Sequence, residues 1–511
     1  MDIEKAFRFF TIPLILGVDS VSMGFAIYLI KISLSAFSIF VSIMFLITTI
    51  VADFFNTIAA FEYYGSYEYE KKFNNSKKWK RELRRFPTVA LVVPSYNEDP
   101  RVVKKTLQKL QEVNYPKDKY RIYLLDDSME SISGQLKRFC KENGIVFLHR
   151  KERKDFKAGA LNNFLKHSNN EEFIAIFDAD EYLINKNFLL DLLPLFDDNK
   201  VAYVQTAKRY ANGGLFENSI NLFNSFFFSF VQPSRAKRNT SIYAGSCGIL
   251  RRSIIEKLGG FPKEVLEDTF FSFKSRINNY KGIYVPKVYA LGRPLKTFTA
   301  FAKQQWRYNY GGTKFLKNYI SSIFKVKFSV REHIDYISLG FGLNYLSAIL
   351  VIFTLLSILI IFANYPFSSI SPSFFFNPYY IKNYLEIYGM IALLLSFIAP
   401  VFVSRIYFGS FTYGIMTFLL NFALAIIRTE AAIAALFNKS PIKGWVKTLS
   451  KSNKGRAVMA LKNSYAEIAF SSSLFVFSVF ALLQNNFSGF LWLIWYAALY
   501  SSTFFFFFKY G

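Results

Sequence analysis

Long apolar segments at the two ends of the chain constrain its fold most strongly. The first two, at about 9–30 and 34–60, each contain roughly 20 or more mostly apolar residues, enough to cross a hydrocarbon core ~30 Å thick. The first segment is too long for a cleavable signal peptide and carries Asp19, so the pair is predicted to form a membrane hairpin. Further candidate spans lie at about 335–363, 384–404, 466–484 and 489–508.

One more apolar segment, at 410–437, is predicted to lie along the membrane surface. Its second half, RTEAAIAALF, places Arg428 and Glu430 among small apolar residues, which suits an interfacial helix. If it crossed the membrane, the basic loop between Lys439 and Arg456 would lie on the outside. We therefore predict a multi-pass protein of the cell membrane with six spans and with both termini inside.

Positive charge is concentrated beside the membrane segments. The formal net charge is +26, and eight Lys or Arg accompany one Glu between Lys71 and Arg85. Such charge marks the cytoplasmic side of a membrane and attracts anionic lipid headgroups. Because the chain shows no nucleic-acid-binding motif, membrane lipids are predicted partners and nucleic acid is not. The two cysteines, Cys140 and Cys247, fit no zinc spacing and are expected to stay reduced.

The central region, residues 87–330, is predicted to be a soluble α/β domain. Apolar runs such as TVALVV, RIYLL, GIVFL, EEFIAIF and VAYV alternate with segments of helical periodicity such as RVVKKTLQKLQEV. This alternation predicts a mostly parallel sheet with helices on both faces. Ligands bind such sheets at the carboxyl ends of the strands.

Polar residues follow four of these strands, in SYNED, DDS, DAD and QT. In an extended segment the carboxylates of Asp178 and Asp180 would point the same way and could share one hard cation, Mg²⁺ or Mn²⁺, while Glu181 would face elsewhere. Asp127 or its neighbour Asp126 could accept hydrogen bonds from a base or ribose. Together these groups favour a nucleoside diphosphate held through a metal.

Lys157, in FKAGALNN, is predicted to place positive charge on a loop of small residues that approaches a phosphate. Taken alone, this residue would be an ordinary surface lysine. The neighbouring acidic strand ends favour the binding role.

The ordered set of motifs resembles the membrane-embedded family 2 glycosyltransferases, which include cellulose, mannan, chitin and hyaluronan synthases. The shared motifs are PSYNE, DDS, KAGALN, DAD, VQT, GSCGILRR, LED and QQWRY. They lie between membrane segments placed as in that family. RTEAAIAALF followed by WVKTLSKS also resembles the interfacial helix and gating loop of the plant mannan synthase branch.

The resemblance implies a GT-A-type, Rossmann-like cytoplasmic domain inserted between α-helical transmembrane segments. Residues 1–62 would form two transmembrane helices and 63–86 a basic linker. The glycosyltransferase domain would occupy 87–330. The remainder, 331–511, would hold about four transmembrane helices, the interfacial helix and a gating-loop segment at 438–457.

The resemblance also implies roles for individual residues. Asp178 and Asp180 correspond to the metal-binding pair and Asp268, in VLEDTF, to the catalytic base. With the residues inferred above, the expected nucleotide-sugar contacts are Tyr96, Glu98, Asp126, Asp127, Lys157, Asp178 and Arg307. The expected acceptor contacts, in the motif Q-x-x-R-W, are Gln304, Arg307 and Tyr308. The gating loop would contribute Thr448 and Lys451.

One of these residues has a simpler reading, and two positions in the shared motifs depart from the family pattern. Asp268 could cap the helix that begins near TFFSFK, since Asp is a favourable N-cap residue. Tyr308 stands where the motif has Trp, which keeps an aromatic face for an acceptor sugar but with less area. Leu266 replaces the usual Thr and leaves the base intact.

Three functions fit the pattern. The first is an inverting, metal-dependent hexosyltransferase that uses a UDP- or GDP-sugar to extend a polysaccharide and move it across the membrane. The second transfers one or a few sugars to a membrane lipid or lipid-linked glycan. The third, a transporter without catalysis, has no need for the acidic pair and a distant Asp268.

Overall fold

The computed structural model of the protein describes residues 3–31, 33–76, 82–362, 401, 404–405, 409–439 and 453–511. The central domain is built on one eight-stranded sheet, with the strand order β3-β2-β1-β4-β7-β6-β8-β5. The strands are β1 (Val89–Ser95), β2 (Tyr120–Asp126), β3 (Val146–His149), β4 (Phe173–Ile176), β5 (Glu181–Leu183), β6 (Val201–Tyr210), β7 (Gly248–Arg251) and β8 (Lys281–Gly292).

The sheet is mixed but mostly parallel, as predicted, because six of its eight strands run in one direction and only β5 and β7 oppose them. Strands β1 to β4 form the predicted parallel half, with β1 between β2 and β4. Beyond β4 the pairing changes, because β7 is antiparallel to both β4 and β6, and β5 is antiparallel to β8. Strand β8 returns parallel to β6. The prediction of strands alternating with helices is confirmed, whereas β5, β7 and β8 were not anticipated.

Helices cover both faces of the sheet. In the central domain they are α3 (Pro100–Gln111), α4 (Glu130–Glu142), α5 (Phe156–His167), α6 (Phe188–Leu192), α7 (Leu215–Phe226), α8 (Gln232–Ala236), α9 (Arg252–Lys257), α10 (Glu267–Ile277) and α11 (Phe298–Lys325). Leu91 faces the core under α3 and α4, and Val92 faces the opposite core under α5 and α9. Burial on both faces explains why this strand is continuously apolar.

Long helices flank the domain at both ends. They are α1 (Ile3–Lys31), α2 (Ala36–Asn75), α12 (Val330–Phe362), α13 (Phe411–Leu436), α14 (Asn453–Asn463), α15 (Tyr465–Leu483) and α16 (Phe487–Tyr510). Within the described residues, four helices are long and apolar enough to cross a membrane: Ala36–Asn75, Phe411–Leu436, Tyr465–Leu483 and Gly489–Tyr510.

The six-span prediction is matched in part by these helices. The predicted spans at 9–30 and 335–363 fall within α1 and α12, which contribute the shorter apolar stretches Ser22–Lys31 and Ser347–Phe362. Most of the predicted span at 384–404 lies outside the described residues. Because α13 is itself long enough to cross a membrane, its placement as an interfacial helix stays a prediction.

Helix α13 packs on the central domain through a buried polar contact. The Arg428 guanidinium donates a hydrogen bond from Nη2 to Gln305 Oε1 of α11 at 2.7 Å, and both side chains are almost fully buried. The hydroxyl of Thr417 donates to the backbone oxygen of Ser219 in α7. These contacts place the polar side of α13 against the domain.

A second polar contact joins the central domain to α2 and α12. Asp335 of α12 accepts two hydrogen bonds from Arg238, at 2.7 and 2.8 Å. Glu62 of α2 lies 3.6 Å from Arg238 and 3.7 Å from Arg235. Because Glu62, Arg235 and Asp335 are each less than 5% exposed, these charges depend on one another.

Candidate active site

The ends of β1 and β2 lie side by side, as the parallel arrangement predicts. Ser95 pairs with Asp126, and the two following loops are braced by Asn97. The backbone N–H of Asn97 donates to Ser128 Oγ at 2.8 Å, and its side-chain Oδ1 accepts from the Met129 N–H at 2.9 Å. The motifs SYNED and DDS therefore form one surface.

Both acids of DDS are engaged by other side chains of the domain. Asp126 is fully buried, and its Oδ2 lies 2.9 Å from His149 Nδ1. Asp127 accepts two hydrogen bonds from Arg150, at 2.8 and 2.5 Å. Arg150 also donates to the backbone oxygens of Lys154 and of Phe156, the first residue of α5. Arg150 was missed in the sequence because only the parallel pairing of β2 and β3 brings it beside Asp127.

Tyr96 presents an aromatic face at this edge, and Arg153 covers it. The side chain of Tyr96 is 43% exposed, and the Arg153 guanidinium lies 3.5 Å from its ring centroid. The same guanidinium is 5.1 Å from the ring of Phe156. A planar cation stacked in this way is stabilised by the ring's negative face. The exposed face of Tyr96 therefore suits a flat, delocalised group such as this guanidinium.

Lys157 lies in a helix, which corrects the prediction of a loop. Helix α5 begins at Phe156, and the two residues before Lys157 both have positive φ, 59° at Asp155 and 47° at Phe156. The strained entry turns the chain so that the Lys157 ammonium donates to Asp178 Oδ1 at 2.6 Å and to the backbone oxygen of Gly245 at 2.9 Å. The lysine therefore lies beside the acidic strand end, and its approach to a phosphate stays a prediction.

Gly159 allows the 150–154 loop to approach α5. A methyl group at this position would lie 2.0 Å from the Lys154 backbone oxygen and 2.6 Å from Arg150 Nη1. We expect Gly159→Ala to destabilise the domain by about 1–3 kcal/mol, because a backbone atom must move. The control is Gly134→Ala, at an exposed position of α4, where a methyl group would meet nothing within 4 Å. Thermal unfolding should show a lower Tm for the first variant only; equal Tm values would contradict the close approach.

The DAD motif forms a turn, and not the extended segment that was predicted. Strand β4 ends at Ile176, and the Glu181 N–H donates to the Asp178 backbone oxygen at 3.0 Å. The turn is held from outside, since Thr106 donates to the Ala179 oxygen and the Arg293 N–H donates to the Asp180 oxygen. The argument from alternating side chains therefore fails, although both acids remain at the strand end.

Asp178 is surrounded by donors. Its carboxylate lies 2.6 Å from Lys157 Nζ, 3.4 Å from Lys208 Nζ and 2.9 Å from Ser246 Oγ. Burial alone would raise the pKa of Asp178, but the two ammonium groups outweigh burial and lower it. Asp178 is therefore a stable carboxylate at neutral pH.

Asp180 lies among other acids. Burial, followed by the negative charges of Asp178, Glu181 and Glu98, raises the pKa of Asp180 to about 7. Burial and Asp178 likewise raise the pKa of Glu98. Within the described residues the Asp180 carboxylate has no hydrogen-bonding or ion-pair partner, so a cation would relieve this repulsion.

The acidic pair fits an open metal site. In the described part of the chain, no group of three or more His, Cys, Asp or Glu could hold an ion by itself. Mg²⁺ and Mn²⁺ are often held by one or two carboxylates together with substrate phosphates. Asp178 and Asp180 fit such an ion, with the remaining ligands supplied by a substrate.

Glu181 was predicted to face away from the site, and this prediction is wrong. It is 3% exposed, and its Oε2 accepts the Asp178 N–H at 3.0 Å. Its Oε1 lies 2.9 Å from Lys208 Nζ and 2.8 Å from Ser246 Oγ. The reason is the turn, which folds Glu181 back beneath Asp178.

The QT pair also departs from the prediction, since β6 continues past it to Tyr210. Gln205 is buried, and its amide donates to the Ser246 oxygen while its Oε1 accepts the Ala244 N–H. This residue therefore shapes the segment 244–246 and is not exposed at a strand end. The continuation of β6 carries Lys208, which the sequence prediction missed.

Asp268 reaches the same segment from the start of α10. A methyl group at Gly245, where φ is +81°, would lie 2.9 Å from Asp268 Oδ2. Helix α10 begins at Glu267 without a side-chain cap. Among the described residues, Asp268 Oδ1 accepts a hydrogen bond only from the N–H of the next residue, Thr269. The reading of Asp268 as an N-cap is therefore wrong.

Burial raises the pKa of both acids at the start of α10. For Glu267 burial and the charge of Asp268 raise it to about 7, and for Asp268 burial outweighs the lowering effects of the Thr269 N–H and of nearby Lys157. A carboxyl group with a raised pKa is a better proton acceptor.

The Q-x-x-R-W counterpart lies on α11, above these acids. Gln304 Oε1 is buried without a hydrogen-bond partner in the described residues. Arg307 is an exposed residue of α11. Partial loss of solvent would lower the pKa of Arg307, but Tyr308, Glu267, Asp178 and Asp268 raise it. Arg307 therefore interacts electrostatically with the acidic groups of both the turn and α10. Thr448 and Lys451 lie outside the described residues.

Known proteins resemble the central part of this chain. Residues 90–259 match the family model Glycosyl transferase family 2. A cellulose synthase catalytic subunit (UDP-forming) of Pseudomonas fluorescens is 31% identical over 240 residues, 45% of this chain and 32% of that protein. "Probable glucomannan 4-beta-mannosyltransferase 7" of Oryza sativa subsp. japonica is 29% identical over 255 residues, 47% of this chain and 43% of that protein. The matches thus span less than half of these curated relatives.

The fold has a counterpart among solved structures. A mannosyltransferase from Pyrobaculum calidifontis in complex with GDP-Man and Mn²⁺ superposes with a TM-score of 0.50 at 18% identity, covering 75% of this chain and 99% of that one. The GT-A-type fold predicted for the central domain is confirmed, with a mixed sheet. Residues 90–259 of this chain are therefore similar to glycosyl transferase family 2, and the central domain shares the GT-A-type fold.

Proposed function

We propose that the protein is an inverting, metal-dependent hexosyltransferase that extends a polysaccharide from a nucleoside-diphosphate sugar and passes it across the membrane. The observation that carries the proposal is the meeting of Asp178, Lys157 and Asp268 at Gly245. Lys157 donates to both Asp178 and the Gly245 oxygen. A methyl group at Gly245 would lie 2.9 Å from Asp268 Oδ2 and 3.7 Å from Lys157 Nζ. A donor-binding group and a candidate base from distant parts of the chain thus share one small space.

The diphosphate of the donor is expected at the acidic turn. Asp178 and Asp180 would hold Mg²⁺ or Mn²⁺, which when bound would neutralise charge on the diphosphate. Lys157 and Arg307 supply fixed positive charge beside the same acids. The nucleotide base is expected to stack on the exposed face of Tyr96 after the Arg153 guanidinium moves off it. Arg150 holds Asp127 in position by hydrogen bonding.

Transfer then requires one proton acceptor. The acceptor hydroxyl oxygen forms a bond to the anomeric carbon, while the bond from that carbon to the diphosphate breaks. The hydroxyl proton passes to Asp268, and the electron pair leaves with the nucleoside diphosphate. Attack from the face opposite the leaving group inverts the anomeric centre, so no carboxylate nucleophile is needed.

The acceptor is proposed to lie under Gln304, Arg307 and Tyr308. The buried, unpartnered Gln304 Oε1 can accept a hydrogen bond from a sugar hydroxyl. Helix α11 is tied to α13 through Gln305 and Arg428, so the acceptor site adjoins the membrane helices. This arrangement supports a cytoplasmic domain that feeds a product into the membrane. Thr448 and Lys451, which lie outside the described residues, stay predicted gating-loop contacts.

A donor screen tests the proposal. Purified protein is incubated with UDP- and GDP-linked glucose, mannose and N-acetylglucosamine, with Mn²⁺, Mg²⁺ or chelator, and released nucleoside diphosphate is measured. We expect one donor to give metal-dependent release and a product that sizes as a polymer. Short products that partition into organic solvent would instead identify a lipid acceptor. No release from any donor would refute the proposed enzyme activity.

A further inference from the structure

Beneath the acidic turn lies a buried ion pair that the mechanism above does not use. The side chains of Lys208 and Glu181 are only 11% and 4% exposed, and Nζ of Lys208 lies 2.9 Å from Glu181 Oε1. The same Nζ is 3.4 Å from Asp178 Oδ2. One positive charge is therefore shared between a structural acid and an acid of the proposed metal pair.

Ser246 links the three charged groups. Its Oγ accepts from Lys208 at 2.5 Å and lies 2.8 Å from Glu181 Oε1 and 2.9 Å from Asp178 Oδ2. The hydroxyl has one proton, so it donates to one carboxylate at a time. Glu181 also accepts the Asp178 backbone N–H. Substitution of Glu181 or Lys208 thus changes the hydrogen bonds and charges in direct contact with Asp178.

The pair is placed to act through Asp178. Lys208 lies below the turn with little exposed surface, whereas Asp178 has 38% of its side chain exposed. Lys208 is closer to Glu181 than to Asp178, so Glu181 neutralises most of its charge. The remaining positive charge opposes a second cation at Asp178.

We propose that the Lys208–Glu181 pair sets the affinity of Asp178 and Asp180 for a divalent cation. Lys208 weakens cation binding by repulsion, and Glu181 limits that repulsion by neutralising the ammonium group. Both are positioning residues, since neither is placed to touch the donor or acceptor. The inference rests on the metal site of the proposed function.

The two residues therefore have opposite expected effects. Lys208→Met removes the positive charge and should lower the Kd for Mn²⁺ about tenfold, whereas Glu181→Gln leaves Lys208 unneutralised and should raise it about tenfold. The double variant, Glu181→Gln with Lys208→Met, removes both charges and should return the Kd to within about threefold of the wild-type value. Damage to the turn would weaken Mn²⁺ binding in every variant.

Binding of Mn²⁺ alone is measured on the full chain in detergent, from the electron paramagnetic resonance signal of free Mn²⁺. Lys166→Met, an exposed lysine at the far end of α5, controls for the loss of one charge elsewhere. Each single variant leaves a buried charge without its partner. If Lys208→Met does not fold, the other two variants still test the inference. Mn²⁺ binding must weaken in Glu181→Gln and recover in the double variant.

The outcomes separate the inference from the proposed function. Opposite shifts for the single variants, with recovery in the double variant, support the inference. Shifts in the same direction, or none, overturn it while leaving the metal site intact. If the wild-type protein binds no Mn²⁺ at all, the metal site itself is wrong and the inference falls with it.

Discussion

We expect Asp268→Asn to lower kcat for sugar transfer by about 10²–10⁴, because the amide cannot accept the acceptor's proton. The substitution keeps the shape of the side chain and an oxygen for the Thr269 N–H. Donor binding should be unchanged, since Asp268 is not assigned to the nucleotide. Steady-state release of nucleoside diphosphate and direct titration with the donor measure the two quantities separately.

Glu267→Gln is the matched control for this prediction. Glu267 precedes Asp268, is also acidic, and has its pKa raised to about 7 by burial and by Asp268. We expect a much smaller loss, because the contact with Gly245 is made by Asp268. A large loss of turnover in Glu267→Gln, with near-normal turnover in Asp268→Asn, would show that Asp268 is not the base.

The second large effect is expected for Asp180→Asn. Removing this carboxylate should reduce Mn²⁺-dependent transfer by at least about a hundredfold, since a metal shared with the diphosphate would lose one of two protein ligands. The metal-free protein should fold as well as the wild type, because the change removes repulsion among Asp178, Glu98 and Asp180. Turnover against Mn²⁺ concentration and the metal-free Tm test both statements.

Asp118→Asn serves as the control, because Asp118 is a surface acid with 72% of its side chain exposed. It should change neither Mn²⁺ dependence nor Tm. If Asp180→Asn retained metal-dependent turnover, Asp180 would not be a ligand, and the metal would have to be held by Asp178 and the substrate alone.

Local pattern was sufficient to predict five of the eight strands, β1 to β4 and β6, and the edge of the sheet where their polar motifs lie. The apolar runs of β1, β2 and β4 end where their polar motifs begin, and parallel pairing brings those ends together. This follows from hydrophobic burial and from the geometry of parallel strands. The placement of Asp178, Lys157 and Asp268 in one site agrees with the order of the motifs.

The errors arose where distant residues decide local conformation. The turn at Asp178 is held by Thr106 and Arg293, which lie far away in the chain. Without knowledge of those contacts, an extended strand end is the natural expectation, and Glu181 is then assigned to the wrong side. Lys208 was missed for a related reason, since β6 pairs with β8 well beyond the QT motif.

The buried contact of Arg235 and Arg238 with Glu62 and Asp335 determines which part of the chain could be exchanged with a relative. A hybrid that joined the soluble domain to other membrane helices would bury these guanidinium groups against unmatched side chains, at a cost of several kcal/mol. The exchangeable unit therefore consists of the soluble domain together with α2 and α12. We therefore expect such a hybrid to fold only when α2 and α12 are exchanged together with the central domain.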